Sequence, residues 1–144
     1  MSMDWIIHYV SNRSNRDCSD CSDCSNPGYY SYPGFANVHT HGLENHGQRE
    51  LCLVLDIGFN RAGSFLNAMG TQVAKKETKF TEGIRTDLLE NGMEVELISF
   101  DGDPTLYIML PDKNGHLPGD EKCETPYSLQ RLYARLISKH ENYI

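Results

Sequence analysis

Five consecutive apolar residues in the middle of the chain constrain its fold more than any other feature. The chain here reads Leu51-Cys52-Leu53-Val54-Leu55, which is short for a helix and places apolar side chains on both faces of an extended strand. A run of this kind is typical of a buried strand. We therefore expect residues 51–55 to form a strand in the interior of a sheet.

Other patterns predict further strands. Aromatic and β-branched residues at 5–10 predict a first strand. Val95 and Leu97 alternate with glutamates, which predicts a half-exposed strand ending at a turn over 101–104. Residues 105–110 are then expected to form its hairpin partner.

Two segments show helical spacing. Apolar residues recur at helical intervals over 61–75, with Asn60 available as the N-cap. A second helix is expected to start at Thr125-Pro126, because threonine caps helices and proline is favoured in the first turn. Strands outnumber helices and pair through tight turns, which indicates an α+β fold. We expect a mostly antiparallel sheet of about five strands, with two main helices packed on one face, and one shared core: Leu53, Leu55, Ile108, Leu110, Phe65, Met69, Leu132 and Leu136.

Length and charge limit the classes of protein that fit this chain. Its 144 residues suit a single domain over 1–144. The formal net charge of −7 repels phosphate backbones and anionic membranes, so neither nucleic acid nor a membrane is an expected partner. The apolar runs are far shorter than the roughly 20 residues of a transmembrane helix, and the first residues lack a basic secretory signal. We expect a cytoplasmic protein, and the sequence leaves open whether it has a protein or a small-molecule partner.

Three cysteines lie in a polar segment that interrupts the predicted sheet. Residues 11–34 are rich in Cys, Ser, Asn and Asp, which indicates a loop insertion within the domain. Cys18, Cys21 and Cys24 recur at three-residue intervals, a spacing that allows thiolates to bind one metal ion such as zinc. A fourth ligand has to come from elsewhere in the chain. The alternative is a solvated loop that binds no metal.

A histidine-rich segment follows this insertion. His39 and His41 alternate along a predicted strand and should therefore project from the same face. Glu44 and His46 follow in a turn that glycines bracket. Imidazoles in this arrangement bind transition metals, so the three histidines are candidate metal ligands and Glu44 is a candidate general base. The alternative is a pair of half-buried histidines that donate to backbone carbonyls.

A late polar loop over 111–124 contains a second candidate pair. Asp112 and His116 could act as an acid and a base, or complete a set of metal ligands, if the loop folds over the histidine strand. The alternative is a turn, because Asp and Asn form local hydrogen bonds and Gly115 allows positive φ.

Several short motifs resemble a known family in their order along the chain. They are Phe35-Ala36 through Gly42-Leu43, then Gly47, Glu50-Leu51, Leu66-Asn67 within a helix, and the stretch 111–118. Over roughly residues 35 to 130 this order resembles the bacterial domain-of-unknown-function family numbered 4262. The chain departs from the family at Gln48-Arg49, where His-Pro is expected, and at His39 and His41, which replace an aromatic-threonine pattern. The resemblance implies the fold and a bacterial origin, but no catalytic role.

Three functions from different classes follow from these residues. The first is a small binding or accessory domain, with a transition metal as one candidate ligand. The second is a metal-dependent hydrolase in which the three histidines bind the metal and an acidic side chain activates water. The third is a protein-interaction module with an aromatic contact patch at Tyr29, Tyr30 and Tyr32. We favour the first. The sequence leaves the cofactor open, with zinc as one candidate.

Overall fold

The computed structural model describes residues 5–11, 34–76 and 78–142. Within these residues the strands are β1 (Ile6–Ser11), β2 (Phe35–His41), β3 (Leu51–Leu55), β4 (Gly83–Arg85), β5 (Val95–Phe100) and β6 (Asp103–Met109), and the α-helices are α1 (Phe59–Lys76) and α2 (Gln130–Asn142). Short 3-10 helices occupy Leu43–His46 and Tyr127–Leu129. The predicted thiolate site and tyrosine patch lie outside the described residues.

The described strands form one sheet in the order β1-β2-β3-β6-β5-β4. Strands β3 and β6 are parallel, and the other four pairs of neighbours are antiparallel. The chain leaves β3 through α1 and returns to the sheet as β4 at its far edge. Strands β5 and β6 then follow in turn, which places β6 parallel beside β3. The predicted α+β class is confirmed. The sheet has one more strand than expected, since β4 was not recognised in the sequence.

The central position of β3 agrees with its composition. All five of its residues are buried, and β2 and β6 flank it on either side. On one face Leu51, Leu53 and Leu55 pack in the same apolar cluster as α1. On the other face Cys52 and Val54 pack in a second cluster with α2.

The helices therefore lie on opposite faces of the sheet, and the expectation that both pack on one face is wrong. The physical reason is present in β3 itself. If α1 and α2 shared one face, Cys52 and Val54 would point to a face without a helix to cover it, and their apolar surface would meet water. A strand that is apolar on both faces is stable only when a helix or another layer of structure covers each face of the sheet.

Helix α1 begins earlier than expected. Its first residue is Phe59, so Asn60 lies within the first turn and is not the cap. The entry to the helix is fixed instead by Asp56, whose Oδ1 accepts a hydrogen bond from the Gly58 backbone N–H at 3.1 Å. Met69 is buried and Phe65 packs against the core, as expected.

The inward face of α2 also differs from the prediction. Gln130 is fully buried, and its side-chain amide bonds to the backbone N–H and carbonyl of Leu110 at 2.8 and 2.7 Å. This contact sets the rotation of the helix, so that Tyr133 and Ile137 point to the sheet. Leu132 is consequently 46% exposed and Leu136 only partly buried, so neither joins the predicted core. None of the described helices is long and apolar enough to cross a membrane.

Candidate ligand-binding cleft

Side chains from three neighbouring strands form a row across the sheet on the face that α2 covers. His39 of β2 pairs in register with Cys52 of β3, and Cys52 pairs in register with Tyr107 of β6. Residues in register point to the same face of a sheet. Asn37 and His41 extend the row along β2, because alternate residues of a strand share a face. The sheet thus brings together polar groups that are distant in the sequence.

A cavity of about 200 Å³ opens above this row, and we call it the histidine cleft. Among the residues that the structure describes, its lining includes two carboxylates but no lysine or arginine, so its electrostatic potential favours a cation over an anion. The lining residues are Asn37, His39, Thr40, His41, Glu44, Glu50, Cys52, Thr105, Tyr107 and Ile137.

Asn37 fixes the orientation of the His39 ring. This asparagine is buried, and its Oδ1 lies 2.7 Å from His39 Nδ1 and 3.5 Å from Cys52 Sγ. Since an amide oxygen only accepts hydrogen bonds, Nδ1 of His39 is the donor in this contact. In the neutral ring the lone pair is then on Nε2, the nitrogen that can act as a base or bind a metal.

The two histidines of β2 are direct neighbours, as the sequence predicts. Their ring centroids are 4.7 Å apart, with planes at 80° to each other. His41 is exposed at the end of the strand, whereas His39 is partly buried above Cys52. The pair therefore extends from the interior of the cleft to its mouth.

Tyr107 forms the opposite wall of the cleft and is held by Asp103. Its hydroxyl donates to Oδ2 of Asp103 at 2.5 Å, and Oδ1 of the same carboxylate accepts the Thr105 backbone N–H at 2.9 Å. Burial raises the pKa of Tyr107 far above its ordinary value, and neighbouring Cys52 and Asp103 act in the same direction. The phenol therefore stays protonated and serves as a hydrogen-bond donor.

Glu50 organises the corner between β2 and β3. Its carboxylate accepts the Thr40 hydroxyl at 2.6 Å and the backbone N–H groups of Gly42, Leu43 and Glu44 at 2.9, 3.2 and 3.2 Å. The negative charge lies at the N-terminus of the 3-10 helix, where backbone N–H groups lack partners within the helix. Glu50 thus holds Glu44 at the mouth of the cleft.

The third predicted histidine ligand does not lie with the other two. The His46 ring contacts Trp5, with centroids 6.1 Å apart, and Trp5 packs in the core on the α1 face. His39 and His41 line the cleft on the α2 face. In the part of the chain that the structure describes, no three His, Cys, Asp or Glu side chains are grouped to hold a metal ion.

Asp112 and His116 belong to the late loop and do not line the histidine cleft. Asp112 is buried and accepts backbone N–H groups of Asn114, His116 and Glu124 at 2.9, 2.9 and 3.0 Å. Burial alone would raise the pKa of Asp112, but these three donors outweigh it and lower the pKa to about 2. Nδ1 of His116 lies 3.4 Å from the same carboxylate. The geometry matches the predicted turn alternative, with Gly115 at φ 85°.

Apart from His39, His41 and Glu44, the residues that line the cleft were not predicted as site residues. Asn37 gave a usable signal, because it lies two positions before His39 and so shares its face. Cys52 and Tyr107 gave none, since their place beside His39 depends on the strand order and register. Comparison with known proteins found no family model, no curated protein and no solved structure that matches the chain.

Proposed function

We propose that this chain is a small binding domain that takes up a divalent transition-metal ion at the histidine cleft. The observation that carries the proposal is the His39–His41 pair, with ring centroids 4.7 Å apart on one face of a strand. Imidazole nitrogens are favoured ligands of zinc, copper and nickel. A strand held by neighbours on both sides presents the two rings without the need for an ordered loop.

The contact between Asn37 and His39 supports this proposal. Histidines that bind metals usually donate the other ring N–H to a protein oxygen, which fixes the tautomer and the ring orientation. Asn37 Oδ1 accepts such a hydrogen bond from His39 Nδ1 at 2.7 Å. Buried Asn37 therefore directs Nε2 of His39 as a metal site requires.

The charge of the cleft supports a cationic ligand. Glu44 and Glu50 are the acidic residues of its described lining, and the whole chain is formally −7. Two imidazoles leave further coordination positions to water or to a second ligand, in contrast to closed structural sites with four protein ligands. We therefore expect exchangeable binding of one ion.

The hydrolase alternative has less support in its three-histidine form. It needs His46 beside His39 and His41, but His46 contacts Trp5 on the other side of the sheet. Glu44 lines the cleft with the remaining pair, whereas Asp112 and His116 do not. The thiolate site at Cys18, Cys21 and Cys24, the resemblance to family 4262, a bacterial origin and a cytoplasmic location stay predictions from the sequence.

Calorimetric titration with Zn²⁺ tests the proposal. The cysteines of the insertion could bind zinc themselves, so the parent protein for the titration should have Cys18, Cys21 and Cys24 replaced by serine. One ion per chain should bind to this parent, and His41→Ala should abolish or strongly weaken binding. His46→Ala removes one imidazole on the other face and is the matched control, which should bind zinc as the parent does.

Two results would overturn the metal proposal. One is the absence of saturable binding to the triple-serine parent. The other is equal loss of binding in His41→Ala and His46→Ala, since this would show that zinc does not distinguish the cleft from other histidines. Because His41 is exposed, its replacement is not expected to unfold the protein.

A further inference from the structure

A second concave site lies on the α1 side of the sheet. It is a groove of about 310 Å³ between the start of α1, the segment before β5 and the late polar loop. Small-molecule sites usually have volumes of about 300–1,000 Å³, so the groove suits a ligand of one or two rings. It shares no lining residue with the histidine cleft, and we call it the cationic groove.

The inner wall of the cationic groove is apolar. Ile57, Phe65, Leu89 and Tyr127 are partly buried and pack against the main core, and Leu110 belongs to that core. These side chains line the groove, where an apolar ligand would remove exposed apolar surface from water. Two of the five side chains are aromatic, and aromatic rings pack well against other rings.

The charged side chains that are exposed at this groove are cations. Arg61 is exposed and forms no ion pair with any residue that the structure describes. Lys113 is 75% exposed, and its nearest carboxylate is that of Glu124 at 4.0 Å. Asp112 also lines the groove, but its side chain is 0% exposed and its oxygens accept three backbone N–H groups. The solvent side of the groove is thus positive in a chain whose net charge is −7.

We propose that the cationic groove binds a small aromatic carboxylate. The ring packs against Phe65 and Tyr127, and the carboxylate is placed between Arg61 and Lys113 at the rim. A guanidinium binds a carboxylate through two parallel hydrogen bonds, and the ammonium adds a point charge. This combination of an apolar wall and paired cations selects anionic amphiphiles over neutral or cationic ones.

Titration with naphthoate tests this proposal, with naphthyl methanol as the neutral analogue of the same ring. Binding is measured by calorimetry and by shifts of tyrosine and methionine signals in NMR spectra. Naphthoate should bind saturably, and the Arg61→Ala/Lys113→Ala variant should weaken it about tenfold or more, as expected for loss of two charge-assisted contacts. The matched control is Arg135→Ala/Lys139→Ala, which removes two exposed cations from α2 on the other face and should leave affinity unchanged.

The outcomes separate this proposal from others. Equal affinity for naphthoate and naphthyl methanol, or equal weakening in both double variants, would overturn the role of Arg61 and Lys113. Absence of saturable naphthoate binding to the unmodified chain would overturn the site itself. The metal proposal is unaffected by either result, because zinc binding is measured at residues on the other face of the sheet.

Discussion

The two faces of the sheet differ in chemistry although the same strands form both. On the α1 face Val38, Leu53 and Ile108 stand in register across β2, β3 and β6, and all three are fully buried and apolar. The adjacent residues of the same three strands point to the α2 face, and there they form the row His39, Cys52 and Tyr107. A cavity opens above the second row, whereas the first row is enclosed in the apolar core. At this level of the sheet the α1 face provides apolar packing, whereas the α2 face presents polar groups to a cavity.

The largest expected effect tests this comparison within a single strand. Leu53→Ala removes a fully buried side chain from the α1 face and should destabilise the protein by about 2–5 kcal/mol. Cys52→Ala changes the adjacent residue on the α2 face and should cost about 1 kcal/mol, because it removes one atom and one weak contact to Asn37. Urea denaturation followed by circular dichroism measures both values.

Two results would break the comparison. A loss below about 0.5 kcal/mol for Leu53→Ala is typical of surface positions and would contradict the central place of β3. Equal losses for the two variants would mean that the two faces contribute alike. Leu132→Ala is the control, since this leucine is exposed and should change the stability little.

The sequence predicted β3 well because its evidence is local. Five apolar residues in succession show a buried strand without reference to any other part of the chain. The rotation of α2 was not predictable in this way. It depends on Gln130, a polar residue that pattern analysis assigns to the surface and that the fold buries against the backbone of Leu110.

The residues of the candidate site also differ in whether local sequence evidence could predict them. Alternation along one strand placed His39 and His41 together, and the structure has their rings in contact. To predict that Cys52 and Tyr107 join this site, one has to know the strand order. That order includes the parallel pair β3–β6, which no turn motif in the sequence indicates. The position of His46 depends on the 3-10 turn that Glu50 caps, which directs it to Trp5 and not to the other histidines.

A second prediction concerns Glu50 and the corner between β2 and β3. Glu50→Gln keeps the shape of the side chain but removes the charge that four donors share, so we expect a loss of about 1–3 kcal/mol in urea denaturation. Zinc affinity at the cleft should fall as well, because the corner positions Glu44. Glu94→Gln, at an exposed position, should change neither quantity. Loss of stability with unchanged zinc affinity would confine the corner to a structural role.

A third prediction compares two glycines of α1. A Cβ at Gly70 would lie 2.6–2.9 Å from the indole of Trp5, whereas a Cβ at Gly63 would meet nothing within 4 Å. Alanine favours helix over glycine by about 1 kcal/mol, so Gly63→Ala should stabilise the protein by about 0.5–1 kcal/mol. At Gly70 the overpacking of about 1–3 kcal/mol exceeds this gain, and a net loss of about 1 kcal/mol is expected.

The fluorescence of Trp5 reports the cause of that difference, since the chain has one tryptophan. Trp5 is buried and donates to Asn67 Oδ1 at 3.0 Å, so its displacement by Gly70→Ala should shift the emission to longer wavelength. Gly63→Ala should leave the emission unchanged. Stabilisation by both substitutions, without a spectral shift, would contradict the close packing of Trp5 on α1.

The last prediction concerns Asp112 and a pH dependence of stability that is confined to acid. The pKa of Asp112 is lowered from 3.8 to about 2, so the folded state favours its ionised form. Its contribution to stability is therefore complete above pH 4–5 and is lost as the pH falls from about 4 to 2. Asp112→Asn has no proton to take up at this position. The stability difference between wild type and variant in urea should thus be constant from pH 7 to 5 and shrink below pH 4. A difference that stays constant down to pH 2 would refute the lowered pKa, and a change centred near pH 6 would assign the titration to a histidine.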